Sequence, residues 1–185
     1  LVCTRNIFRY AQIQLVTNGL LLNRMPLSFW TTCRTQKITL KITAYPPAEQ
    51  YVSSWKELCK THRVDYVITH TQHFCAWLNP RGDSPMAESF ARCRQSLYCP
   101  ILKEGSLYAC AIGAYINVFN RQFGLSLPCA EGLVLSTPGL TGKTVLNWLN
   151  QPLDLCRYCT LEKEEIPWKN THPSKNDWFV GEMKT

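Results

Sequence analysis

Apolar and polar residues alternate from Gln12 to Thr17 and again from Ile38 to Thr43, and Val64-Asp-Tyr-Val-Ile-Thr69 forms a third such stretch, so three β-strands are predicted. Between them the spacing changes. Phe29, Trp30 and Cys33 follow Met25-Pro26, a proline-led helix start, and Val52, Trp55 and Leu58 follow Tyr45-Pro46-Pro47, where proline ends the second strand. Strand, helix, strand, helix, strand at this spacing implies right-handed crossovers and a parallel sheet, as in part of a β/α barrel. Residues 1–11 read as the end of an amphipathic helix leading into the first strand.

Residues 70–90 lose this periodicity and read as a polar, proline-punctuated linker, with His70, His73, Asn79-Pro80, Arg81-Gly82-Asp83 and Ser84-Pro85. The two histidines lack a third ligand at helical spacing and read as loop residues. Further on, Pro100 to Cys110 predicts two short strands joined at Glu104-Gly105, with Lys103 opposite Ser106 and the pairing running outward to Cys99 opposite Cys110. Ile112, Tyr115, Ile116, Phe119 and Phe123 recur at helical spacing up to Gly124. A short helix over Thr144–Leu149 stops at Pro152, and the charged tail holds Trp168 and Trp178 as anchors.

The chain is α/β overall: a partial β/α, TIM-like barrel segment at 1–69, the linker at 70–90, and a small α+β cysteine-rich domain at 91–185. With 185 residues and 45% apolar content it holds enough material for a packed core. Its formal charge of +7 comes from scattered lysines and arginines, which argues against a nucleic-acid interface. No apolar run approaches membrane-spanning length, and nothing near Leu1 resembles a secretion signal, so a cytoplasmic, reducing location is expected. The chain opens on Leu1, which suggests a fragment, a processed product or an incomplete gene.

Ten cysteines change the picture. Cys99 and Cys110, opposed across the hairpin, would have Cβ atoms roughly 4.5–5.5 Å apart. Cys156-Arg-Tyr-Cys159 adds two thiolates with converging directions, and together these four suit either tetrahedral zinc or a cubane iron–sulfur cluster. Cys3, Cys33, Cys59, Cys75 and Cys129 sit in apolar or helical settings and read as small hydrophobes. Gly139-Leu-Thr-Gly-Lys-Thr144 lacks the first glycine of a phosphate loop, and no histidine stands in a recognisable constellation with a nucleophilic cysteine.

The spacing Cys93, Gly105, Cys110, followed by the Cys156/Cys159 pair, resembles the twitch or SPASM-type auxiliary domain of radical S-adenosylmethionine (radical SAM) enzymes. By that resemblance the first ligand is Cys93, whereas hairpin geometry favours Cys99, and both stay open. The resemblance extends to the strand ends Leu15–Leu20 and Ile42–Pro46, which look like middle strands of the radical SAM partial barrel. It implies that Thr17, Asn18 and Gly19 lie near S-adenosylmethionine and that Thr43 meets its ribose; otherwise Asn18-Gly19 is simply a turn.

The resemblance implies the C-terminal portion of a radical SAM enzyme that binds an auxiliary [4Fe–4S] cluster, contributes to S-adenosylmethionine and substrate binding, and modifies a peptide or small molecule with electrons from a reductant protein. The Cys-x-x-x-Cys-x-x-Cys motif of the catalytic cluster does not occur in this chain. By itself the chain is therefore expected to be inactive in S-adenosylmethionine cleavage. The alternative is a non-catalytic interaction module stabilised by zinc on the same thiolates. A disulfide across Cys99 and Cys110 is a third, minor reading.

Overall fold

Ile38, Leu40, Ile42 and Ala44 are buried, while Thr39, Lys41 and Thr43 between them are not, and this alternation marks a strand with one covered face. The computed structural model describes residues 1–93 and 98–181. In it β1 (Ile13–Thr17), β2 (Ile38–Ala44) and β3 (Tyr66–His70) form a parallel sheet in that order. Leu15 lies beside Leu40, and Ile42 beside Ile68. The expected barrel segment is thus a three-stranded parallel sheet, and no closed barrel forms among the described residues.

The crossovers α2 (Leu27–Thr35) and α3 (Val52–His62) cover the β2 row. Trp30 and Cys33 of α2 and Trp55 and Cys59 of α3 are buried with Ile38, Leu40 and Ile42 in one apolar core. Burial of each large aliphatic side chain there contributes about 1.5–3 kcal/mol. Trp30 stacks on His62 with ring centroids 4.7 Å apart. Gly19, with φ +76°, lets the chain leave β1 under the Trp55 ring, where an added Cβ would come within 2.5 Å. The opposite face carries Gln14, Val16, Lys41, Thr43, Val67 and Thr69 and is uncovered within this unit.

The chain divides into two compact units. The first holds Leu1–Phe74 with Pro167–Asn170; the second holds Cys75–Ile166 and resumes at Thr171. The first unit begins with the short helix α1 (Val2–Ile7).

Residues 70–90, expected to be a linker, contain ordered elements: β4 (His73–Leu78) and α4 (Met86–Arg92). β4 pairs with β8 (Cys159–Pro167), and the hydrogen bonds Asn79 N to Tyr158 O (2.8 Å) and Trp168 N to Gln72 O (2.9 Å) make the pairing antiparallel. The charged run Glu162-Lys163-Glu164-Glu165 hides β8 from a hydropathy reading, since exposed strands tolerate charges on both faces.

The hairpin forms in the expected register: β5 (Ile101–Lys103) meets β6 (Ser106–Tyr108) with Lys103 opposite Ser106. Glu104 and Gly105 both take positive φ, 51° and 77°, as a primed two-residue turn requires. β7 (Leu133–Val134) extends this sheet on the β6 side. The amphipathic helix α5 (Ala111–Phe123) ends at Gly124 in the left-handed region, and α6 (Gly142–Leu149) begins at Thr141, whose hydroxyl accepts from Thr144 N. Leu78, Ile116, Leu127, Leu155 and Phe179 form the core of the second unit. Among the described residues no helix is long and apolar enough to cross a membrane.

Candidate functional site

Cys93 follows the last turn of α4, Cys110 starts α5, and Cys156 and Cys159 flank the end of a 3-10 turn that leads into β8. Three separate pieces of chain bring these residues to one cavity. All four line a cavity of about 420 Å³ within the second unit, together with Trp77, Ile112 and Leu153. Lys163 and Arg92 supply positive charge to the same wall.

The chain holds two of the sulfurs with backbone donors. Cys110 is the N-cap of α5, and its Sγ accepts from Gly113 N at 3.3 Å, as a capping oxygen would. The helix N-terminus thus presents amide hydrogens and its positive dipole end to a sulfur. Cys156 Sγ accepts from Leu153 N at 3.4 Å. These donors favour the thiolate, yet burial outweighs them and pushes both thiols up. Cys159 is pushed up to about 12 by burial first, then by the charges of Cys156, Cys110 and Cys93. Negative charge in this cavity is costly first because the sulfurs are buried and then because they lie within electrostatic reach of one another, and a cation among them would offset that cost.

Among the described residues no group of three or more His, Cys, Asp or Glu side chains is arranged to hold a metal ion, and no disulfide forms. The four sulfurs share a cavity rather than converging on one point.

A polar loop within residues 70–90, the expected linker, holds the Cys156–Cys159 turn. Asn79 is buried, and its Nδ2 donates to Asp83 Oδ1 at 2.6 Å and Ser84 Oγ at 2.8 Å, while its Oδ1 accepts from Arg81 N at 3.0 Å. Ser84 N in turn donates to Arg157 O at 3.1 Å, and Asn79 N to Tyr158 O at 2.8 Å. Buried Ser89 on α4 donates to Cys159 O at 3.4 Å. The clustered Asn, Gly, Asp and Ser of residues 79–84 are turn formers, and that composition was the available signal.

The other expected site residues lie elsewhere. Cys99 is exposed and is not among the residues lining the cavity, although the hairpin register is the expected one. The short β5 ends its pairing at Ile101, two residues before Cys99 could be drawn in. In the first unit, Thr17, Asn18 and Gly19 form the turn after β1: Thr17 Oγ1 accepts from Gly19 N at 3.1 Å and Asn18 Oδ1 from Leu20 N at 3.2 Å. Thr17 sits in register with Ile42 on the helix-covered side, whereas Thr43 sits on the uncovered side beside Thr69. At the same strand ends, His70 Nδ1 lies 2.8 and 2.9 Å from the two carboxylate oxygens of Glu49.

Fold and site together define a mixed α/β protein with a four-cysteine cavity. Comparison with protein-family models, with curated proteins and with solved structures finds no match.

Proposed function

We propose that this chain is the C-terminal portion of a radical SAM enzyme whose second unit holds an auxiliary [4Fe–4S] cluster on Cys93, Cys110, Cys156 and Cys159. The observation that carries the reading is the meeting of these four cysteines, spread over 67 residues of sequence, on one cavity. Such a cluster supplies one-electron transfer.

The chemistry of the donor set fits the group. Four thiol sulfurs are its usual ligands, and backbone N–H donors to sulfur, here from Gly113 and Leu153, stabilise the bound anionic form. Lys163 in the lining offsets its negative charge, whereas Arg92 is already paired with Glu88 at 3.3 Å.

In the first unit, Thr43 and Thr69 stand side by side at the carboxyl end of the uncovered sheet face, beyond the row Val16, Lys41 and Val67, and strand carboxyl ends are where a barrel of this kind takes its ligand. Thr43 therefore remains a candidate for S-adenosylmethionine contact. Gly19 is explained by its packing under Trp55 and by its positive φ, and Thr17 and Asn18 by the turn they close. Cleavage of S-adenosylmethionine is assigned to a cluster outside this chain, and the substrate to a peptide or small molecule.

Anaerobic reconstitution with iron and sulfide, followed by iron, sulfide and zinc analysis, tests the reading. The expected result is about four irons and four sulfides per chain for the wild type and for Cys99→Ala, with loss in Cys93→Ala, Cys110→Ala and Cys156→Ala. One zinc per chain without sulfide would establish the zinc-stabilised module instead.

A further inference from the structure

The outer face of α5 does not end in flat surface. Ile112, Ile116 and Phe119 both join the core of the second unit and, with Phe123, line a second recess that is completed by His172, Pro173 and Trp178 from the C-terminal segment. Phe119 is its hub, set edge-on against Phe123 at 4.9 Å and Trp178 at 5.5 Å. That segment is tied down next to the recess, where Val180 N donates to Leu78 O at 2.8 Å and Phe179 is buried. The wall is therefore built rather than draped.

We propose that this recess binds an uncharged, ring-bearing group of a small ligand. Its volume of about 500 Å³ falls within the roughly 300–1,000 Å³ of small-ligand sites. Among the described residues no Asp, Glu, Lys or Arg lines it, and the polar groups are Gln122, His172, the Tyr115 hydroxyl and the Trp77 and Trp178 indoles, so these residues give a charged ligand no ionic partner for the solvation it would lose. Aromatic edges and faces at T-shaped angles leave slots that suit a planar ring.

The recess shares two walls, Trp77 and Ile112, with the cysteine cavity. The recess and the cysteine cavity therefore adjoin across Trp77 and Ile112. That this ligand is the substrate rests on the reading above; the recess as a binding site does not.

The test is a fluorescence titration of the metal-free protein with the neutral probe N-phenyl-1-naphthylamine, repeated after iron–sulfur reconstitution. Saturable binding of one probe per chain is expected, with displacement by indole and not by indole-3-acetate. Val118→Asp, at the rim and 47% exposed, should weaken binding at least tenfold, while Val134→Asp, 49% exposed on β7, should leave it unchanged. Circular dichroism checks that both variants fold. Absence of saturable binding, equal binding in Val118→Asp, or sedimentation showing a dimer that excludes the probe would overturn the proposal. Probe binding without iron loading would remove the cluster alone, and iron loading without probe binding would remove the recess alone.

Discussion

Gly82 lies against the ring of Tyr158: a Cβ placed on Gly82 would sit 2.5 Å from Tyr158 Cζ. Gly82 also has a φ of +65°, which side-chain-bearing residues rarely adopt. Tyr158 lies inside the Cys156–Cys159 turn, so the loop of residues 79–84 fixes one end of the cysteine cavity. Gly82→Ala should cost at least about 1 kcal/mol and lower iron loading more than Gly139→Ala, whose Cβ would meet open space at a similar φ. Thermal melts and metal content of the two variants check this.

Asp83 gives the same loop a pH signature. The Asn79 amide, then the Arg81 guanidinium, hold its carboxyl below the usual aspartate range. A lowered folded-state value means that the stabilisation is present above the unfolded pKa, about 3.9, and is lost as pH falls through the folded one. Melting temperatures measured between pH 6 and pH 3 should fall less steeply in Asp83→Asn than in the wild type.

The cavity thiols act in the opposite direction. Cys159 is raised to about 12 in the metal-free chain, so the stability linked to its proton is full below the unfolded thiol range, about 8.5, and is lost as pH rises toward 12. Denaturant midpoints of the metal-free wild type should drop between pH 8 and pH 10.5, and Cys159→Ser should flatten that drop. Metal loading, which requires thiolates, should instead improve with pH and release protons.

The first unit makes a separate prediction. Leu40 is fully buried at the centre of the parallel sheet between the Leu15 and Tyr66 positions, under α2 and α3. Leu40→Ala should cost about 2–5 kcal/mol, while Lys41→Ala on the uncovered face should stay within about 0.5 kcal/mol. Chemical denaturation followed by Trp55 and Trp30 fluorescence distinguishes them.

Much of this architecture was legible in residue patterns. The parallel sheet followed from alternation at Ile38–Thr43 and helical spacing at Phe29, Trp30 and Cys33, because each element buries one face. The hairpin followed from Glu104-Gly105, because its turn needs two positive φ angles. β4 and β8 escaped because each pairs with a strand far away in sequence, β8 being largely charged, and local periodicity carries no trace of a long-range partner. The loop of residues 79–84 escaped because Asn79 is buried only through hydrogen bonds made in three dimensions. Among the cysteines, local geometry favoured Cys99, while Cys93 reaches the cavity from the end of α4, an element that the residue pattern did not reveal.

X-ray absorption at the iron and zinc edges of protein purified and reconstituted without oxygen tests the central claim most directly. The account predicts iron in an all-sulfur shell with a second shell of neighbouring irons, lost in Cys156→Ala and kept in Cys99→Ala. Zinc in a sulfur shell with no metal neighbour, or iron bound equally well without Cys110 and Cys156, would contradict it.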